Sequence, residues 1–274
     1  MAGAMADQIT DLLSNHCVSR SVRDSAMFLA VTERKGEDAI HSPIGFVDAP
    51  GRKRLRIGVY DRTLMGRSPA PEVAEALAST VGLCEQLGHM VVEAPPPPVE
   101  GVAVSDAFFV LAGAMMSGLV QSESAARGRQ IGDADLEPFT LALVDWFQSL
   151  NEDAVPKALE TLSVGARTME NYLSQYDVTL SPTMAIPPFN IGHLSKSYSF
   201  DQIIELTREF AGYTPVHNQA GVPAMSVPLF WTNDGLPIGS HFAARAGGEA
   251  QLLALAYELE EARPWNARYR SLSI

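Results

Sequence analysis

The segment Leu55-Arg-Ile-Gly-Val-Tyr60 alternates polar and apolar side chains in the manner of a β-strand. Pro71 follows at a position that the first turn of a helix tolerates, and apolar residues then recur at helical spacing until Gly88. His89-Met-Val-Val-Glu93 returns as a second strand, which a run of four prolines ends. Strand, helix and strand in this order form a crossover unit, so the sequence predicts an α/β fold with parallel strands.

The rest of the chain adds strands and helices around this unit. Further strands are predicted at Val178–Pro182, Ala224–Trp231 and Pro237–Ala243, and Asn233-Asp234-Gly235 joins the last two by a hairpin turn. Helical periodicity is predicted over residues 21–31, 102–124, 138–150, 153–175 and 249–262. The predicted fold class is therefore α/β, with a mixed, largely parallel sheet flanked by helices.

We interpret residues 19–274 as a single α/β domain and residues 1–18 as an N-terminal tail or an expression remnant. The first eight residues lack the basic start and apolar stretch of a secretion signal. Residues 102–120 are the most apolar run, but Asp106 and glycines such as Gly113 interrupt them, and the run barely reaches the roughly 20 residues of a membrane span. We therefore expect a buried core helix there and no membrane association.

The net charge and the cysteine content indicate which partners the protein binds and in which cellular compartment it lies. The chain carries 32 acidic and 20 basic residues, so its formal net charge of −12 would repel a nucleic acid. Cys17 and Cys84 lie far apart and match neither a disulfide framework nor metal-ligand spacing. We expect no nucleic-acid partner, two buried thiols and a reducing, cytoplasmic location.

A search for catalytic or ligand-binding motifs finds none in this sequence. It contains no Gly-x-Ser-x-Gly elbow, no phosphate-binding loop and no pair of histidines at metal-site spacing. The prediction is therefore no catalytic residue, no metal and no cofactor. An alternative is an enzyme whose catalytic residues lie at a new position. The candidates are two adjacent pairs, His16 with Cys17 and Ser240 with His241.

Several motifs in order resemble the C-terminal half of the amidase signature family, whose members hydrolyse carbon–nitrogen amide bonds. They are Tyr213-Thr-Pro-Val-His-Asn218, Ala220-Gly-Val-Pro-Ala-Met-Ser-Val-Pro228, Gly235-Leu-Pro-Ile-Gly239, residues 249–259 and Pro264-Trp265. Upstream, Arg20-Ser-Val-Arg-Asp24 is similar to the helix entry that follows the family's signature region. The resemblance extends from about Ser19 to Trp265.

The resemblance implies that the catalytic machinery is missing. Members of the family carry a lysine, a serine in a cis peptide and a serine nucleophile in a Gly-Gly-Ser-Ser-Gly-like region, N-terminal to the helix that begins here at Ser21. None of the lysines of this chain is followed by such a region; they are Lys35, Lys53, Lys157 and Lys196. We therefore expect an amidase-family chain that is inactive alone: a shortened chain, a split gene product or a decayed copy.

Thr214 and Asn218 are the candidate substrate-binding residues, because they match family positions beside the active-site cleft. Two structural readings stay open: Asn218 caps its turn, and Thr214 hydrogen-bonds to the backbone. Relatives that act on glutamine carry an acidic residue three positions before the matched threonine, where this chain has Ala211. The resemblance thus implies a neutral or apolar amide.

The resemblance also bears on partners. The family builds one sheet from both halves of its chain, so the part present here would expose strand edges and an apolar face. We expect a homo-oligomer or a complementing chain to cover them, and a small-molecule amide as substrate once the missing half is supplied. The alternative is a non-catalytic binding or interaction protein derived from the same fold.

Overall fold

The computed structural model describes residues 16–39, 41–194 and 198–271. Its strands are β1 (Arg56–Val59), β2 (Met90–Glu93), β3 (Val178–Pro182), β4 (Ala224–Trp231) and β5 (Pro237–Ala243). They form a five-stranded sheet in the order β2-β1-β3-β5-β4. Residues 1–15, most of the predicted N-terminal tail, lie outside the described residues, as does Lys196.

The sheet has a parallel half and an antiparallel half. β1 pairs in parallel with both β2 and β3, which confirms the crossover unit. β5 pairs antiparallel with β3 and with β4, and Gly235 at φ +82° makes the turn of the β4–β5 hairpin. The predicted mixed sheet flanked by helices is confirmed, with its parallel pairing confined to β2, β1 and β3.

The helices cover both faces of this sheet. They are α1 (Val22–Thr32), α2 (Pro71–Gln86), α3 (Gly101–Arg127), α4 (Pro138–Gln148), α5 (Ala154–Leu173), α6 (Phe200–Phe210), α7 (Pro215–Ala220), α8 (Glu249–Ala262) and α9 (Asn266–Ser271). The predicted start of the first helix is confirmed, because the Ser21 side chain accepts a hydrogen bond from the Asp24 N–H. Helices α6, α7 and α9 were not predicted.

Two apolar clusters, one on each face of the sheet, form most of the core. On one face, Ile57, Leu180 and Phe242 are fully buried together with residues of α2 and α8. On the other face, Tyr60 and Tyr213 are buried together with residues of α3, α5 and α7. This second face carries the short helix α7 and therefore positions the candidate site.

Helix α3 buries only part of its apolar surface. It is the one helix of the described chain that is long and apolar enough to cross a membrane, and 33% of its most apolar 18-residue window is buried. Its buried side packs on α4 and α5, while Val102, Met115 and Leu119 remain exposed. The expected core helix is thus present, but with one buried face rather than complete burial.

Candidate functional site

Helix α7 carries both residues that the sequence assigns to the substrate. Thr214 precedes the first turn and its hydroxyl makes no capping hydrogen bond. Asn218 follows four residues later, so the two side chains share one face of the helix, and both are partly exposed. The Asn218 carbonyl accepts from the N–H of Gly221, whose φ of +63° ends the helix. A hydroxyl and a carboxamide therefore lie near each other at the surface.

An apolar pocket of about 270 Å³ adjoins this helix. Its walls come from α3, α6, α7 and the turn after β1. The lining residues are Leu64, Met65, Gly101, Val104, Ser105, Phe108, Phe109, Thr207, Arg208, Ala211, Gly212, Pro215, Val216 and Gln219. Since an apolar cavity of roughly 150 Å³ accepts one benzene ring, this pocket can hold a ring with a short substituent.

The one charged side chain in the lining is neutralised by its neighbours. The Arg208 side chain is 14% exposed and forms ion pairs with Glu205 and Asp106. Its Nε also donates to the Ser105 hydroxyl at 3.1 Å. Arg208 therefore ties α6 to α3 beside the pocket, and two carboxylates more than offset its single positive charge.

Two buried histidines pack together on the inner side of α7: His217 belongs to this helix and His241 to β5. The rings of His217 and His241 are 4.6 Å apart at their centroids, and the His217 Nδ1–H donates to the Thr214 carbonyl at 3.2 Å. Burial lowers the pKa of His217 to about 4, and burial followed by the neighbouring His217 lowers that of His241. Both imidazoles are therefore neutral at pH 7, and His217 holds the backbone at Thr214.

The structure does not assemble the adjacent residue pairs into catalytic sites. Ser240 and His241 point to opposite faces of β5, and the Ser240 hydroxyl bonds instead to that of Thr80 at 2.7 Å. The nearest serine hydroxyl to His241 is that of Ser181, 3.5 Å from its Nδ1, in the buried core. This pair lacks the access that a substrate needs.

His16 and Cys17 do not form a catalytic pair either, because each contacts Ser25. His16 Nε2 lies 3.1 Å from the Ser25 carbonyl oxygen and 2.9 Å from the Ser25 hydroxyl. A nitrogen that donates its proton to a carbonyl cannot also take the proton of a serine. Cys17 Sγ contacts the same hydroxyl at 3.9 Å, so Cys17 and His16 both contact Ser25.

The two thiols differ in burial. Cys84 is fully buried, as predicted, and burial raises the pKa of its thiol to about 12. Cys17 is only partly buried, because it lies beside the surface helix α1, so the prediction of two buried thiols was wrong for this residue. Within residues 16–39, 41–194 and 198–271, no group of three or more histidine, cysteine or acidic side chains is placed to hold a metal ion.

Comparison with known proteins identifies the family. The family model described as Amidase matches residues 4–253 of the chain. The chain belongs to the amidase family. The match begins within the segment interpreted as a tail and covers most of the chain, so it does not support the prediction that the resemblance is to the C-terminal half of the family only.

Individual relatives agree with this membership. The chain is 37% identical over 254 residues to "Putative amidase AmiC" of Mycobacterium leprae, covering 93% of this chain and 53% of that relative. It is 25% identical over 279 residues to the 6-aminohexanoate-cyclic-dimer hydrolase of Paenarthrobacter ureafaciens, covering 96% of this chain and 56% of the hydrolase. The chain thus spans about half the length of the curated relatives it matches.

Solved structures show that the fold is that of amidases. The structure of 6-aminohexanoate cyclic dimer hydrolase complexed with substrate aligns with a TM-score of 0.80 at 24% identity, over 91% of this chain and 55% of that one. A bacterial aryl acylamidase of the amidase signature family aligns with a TM-score of 0.75 at 19% identity, over 92% of this chain and 53% of that one. The five-stranded mixed sheet and its flanking helices are therefore part of an amidase fold.

The sequence singled out Thr214 and Asn218 but missed the pocket beside them. Thr214 and Asn218 were singled out by resemblance, whereas Met65, Ser105, Arg208 and Gln219 were not. These lining residues come from four separate segments, and only the tertiary fold brings them together. One local signal for the α6 wall was present, namely the capping pattern Ser199-Phe-Asp-Gln202, which the structure shows as a complete capping box.

Proposed function

We propose that this chain is the substrate-side part of an amidase that hydrolyses a carbon–nitrogen amide bond. The observation that carries the proposal is the apolar pocket beside Thr214 and Asn218 in a chain of the amidase family. In the proposed complex the apolar part of the substrate occupies the pocket. The Thr214 hydroxyl and the Asn218 carboxamide then bind its amide group.

The pocket favours a neutral, mostly apolar amide. Ala211, which stands where glutamine-specific relatives carry an acidic residue, forms part of the apolar wall. Arg208 is balanced by Asp106 and Glu205, so the wall supplies no net positive charge to attract an anion. The name of the 6-aminohexanoate-cyclic-dimer hydrolase, a relative at 25% identity, denotes a substrate of this kind. Glutamine, with a charged ammonium and carboxylate, fits such a wall poorly.

The nucleophile in this proposal comes from outside the 274 residues. In the described part of the chain the serines next to a histidine ring are Ser25 and Ser181, and neither has both a proton acceptor and access to substrate. A lysine, a cis serine and a serine nucleophile, as the family resemblance implies, supply acyl transfer: the serine attacks the amide carbonyl, the amine leaves with a proton, and water releases the acid. They lie either on more of the same polypeptide or on a complementing chain.

The edge strand β4 is the proposed contact for that second segment. β4 has eight residues and forms one edge of the sheet, so its outer side presents main-chain groups that a further strand can pair with. Phe189 and Ile191, in the loop that follows β3, are exposed apolar side chains. The groove of Thr183, Met184 and Ser226 lies between this loop and β4.

Complementation tests the proposal. The half of the Mycobacterium leprae relative that this chain does not match is co-expressed with it, and ammonia release from benzamide is measured. We expect turnover by the pair and none by either part alone, with Thr214→Val and Asn218→Leu each lowering kcat/KM about 3- to 10-fold. Thr168→Val, at a half-buried position of α5 outside the pocket lining, is the matched control. A pair that assembles and binds benzamide without turnover would instead support the non-catalytic binding protein.

A further inference from the structure

The polar side chains that line the apolar pocket are few, and most are already engaged. The Ser105 hydroxyl accepts from Arg208 Nε at 3.1 Å, and Arg208 is also paired with two carboxylates. The Thr207 hydroxyl donates to the Ile203 carbonyl at 2.8 Å, one turn earlier on α6. These three side chains hydrogen-bond or pair within the protein, so they offer few hydrogen-bonding groups to a ligand.

Gln219 differs from the other three. It lines the pocket from α7, and its Oε1 is buried without a hydrogen-bond partner in the described part of the chain. Because this oxygen has no accessible surface, a ligand in the pocket meets the carboxamide at its other, accessible atom, Nε2. Half a turn about the last side-chain bond exchanges Oε1 and Nε2, so the carboxamide can either accept from or donate to a ligand.

We propose that Gln219 is the specificity-determining residue of the apolar pocket and reads one amide-type group on a neutral, otherwise apolar ligand. The apolar wall favours the body of such a ligand, and Arg208, whose positive charge two carboxylates more than offset, does not attract an anion. The unpartnered carboxamide then distinguishes an amide from a hydrocarbon of the same shape, because only the amide satisfies it. This inference rests on the proposed function: the pocket receives the apolar part of an amide substrate, and Gln219 at the pocket wall binds the amide group together with Thr214 and Asn218 of the same helix.

Two ligands of nearly equal shape test the inference. Benzamide carries the amide group, and α-methylstyrene replaces its oxygen and nitrogen by carbon. The methionine methyl groups of the full chain are isotope-labelled, and the signal of Met65, which lines the pocket, is assigned with Met65→Leu and followed by NMR during titration. We expect both ligands to shift this signal. If neither does, the pocket is not a ligand site and the inference is overturned.

The variant Gln219→Met then separates hydrogen bonding from packing. We expect it to weaken benzamide binding roughly 3- to 10-fold while changing α-methylstyrene binding less than about twofold. Gln121→Met, at an exposed position of α3 outside the pocket, is the matched control and should change neither. An equal loss for both ligands, or unchanged benzamide binding, would overturn the assignment. Because these titrations need no turnover, the outcome is independent of whether a complemented enzyme hydrolyses amides.

Discussion

His217 is a titratable side chain that the fold holds in its neutral form. It is 1% exposed, packs against His241, and its Nε2 has no hydrogen-bond partner among the described residues. Burial lowers its pKa from 6.5 to about 4, so the unfolded chain takes up a proton on this ring at a higher pH than the native chain. The free energy of unfolding therefore contains a contribution that is complete above pH 6.5 and is lost as the pH falls toward 4.

We expect acid destabilisation in this pH window. At 1.36 kcal/mol per pKa unit, His217 alone accounts for a loss of about 3 kcal/mol between pH 7 and pH 4, and His241 adds to it. Urea unfolding across this range measures the loss. His217→Gln should reduce the pH dependence, and His193→Gln, at an exposed position, is the control variant. An identical decline in wild type and His217→Gln would contradict this account.

At the scale of elements, Arg208 holds helix α6 against α3. The guanidinium contacts Ser105 and Asp106 of α3 as well as Glu205 of its own helix. Ile204 is the one residue of α6 that is buried in the described structure, so the helix depends on this cluster more than a core helix does. The wall of the apolar pocket that α6 provides is thus held by this polar cluster together with the packing of Ile204 and Phe200 against α3 and α4.

Removing the Arg208 side chain should destabilise α6 more than the rest of the fold. Arg208→Ala is expected to cost about 1–2 kcal/mol of unfolding free energy, because the two carboxylates are mostly exposed and water takes up part of the loss. Amide hydrogen exchange should speed up in α6 before it does so in the sheet. Arg167→Ala, which breaks a 2.8 Å bond to Ser163 on the exposed side of α5, is the control. Unchanged exchange in α6 would show that packing alone holds the helix.

The elements were predicted to different degrees for physical reasons. All five strands were predicted, because alternation, prolines and glycine turns are local signals, and β3 to β5 have the predicted bounds. Helix α7 has six residues, of which Pro215 is the first, and was not predicted, since so short a helix depends on tertiary packing. The pocket was not predicted either, because α3 and α6 meet only through long-range contacts such as Arg208 with Ser105. The sequence contains no nucleophile motif, and the described residues bring together no activated nucleophile.

At the scale of the whole molecule, no strand of the described residues pairs with the outer side of β4, at one edge of the sheet. β4 pairs with β5 on one side only, and Ala224 at its start is exposed. A proline within the strand, Pro228, removes one main-chain donor, and the register with β5 shifts between Val227 and Phe230. These features limit strand addition without closing the edge, so the chain alone remains open to pairing.

We expect the isolated chain to self-associate through this edge. Sedimentation velocity over a series of protein concentrations should give a mass that rises above that of the monomer. Ala224→Lys places a charge on the edge and should shift the chain toward monomer, whereas Ala126→Lys, at the exposed end of α3, should have no effect. A monomer at all concentrations, or equal behaviour of the two variants, would contradict a role for β4.

The central claim is that these residues form the substrate side of an amidase while the activated serine lies elsewhere. The most direct test treats the purified chain with a fluorophosphonate probe, which reacts with any activated serine whatever the substrate, and records the intact mass. An amidase that contains its own nucleophile is labelled in parallel as a control. The account predicts an unchanged mass for this chain and one added probe for the control. A single probe added to this chain would contradict the claim and identify a nucleophile within it.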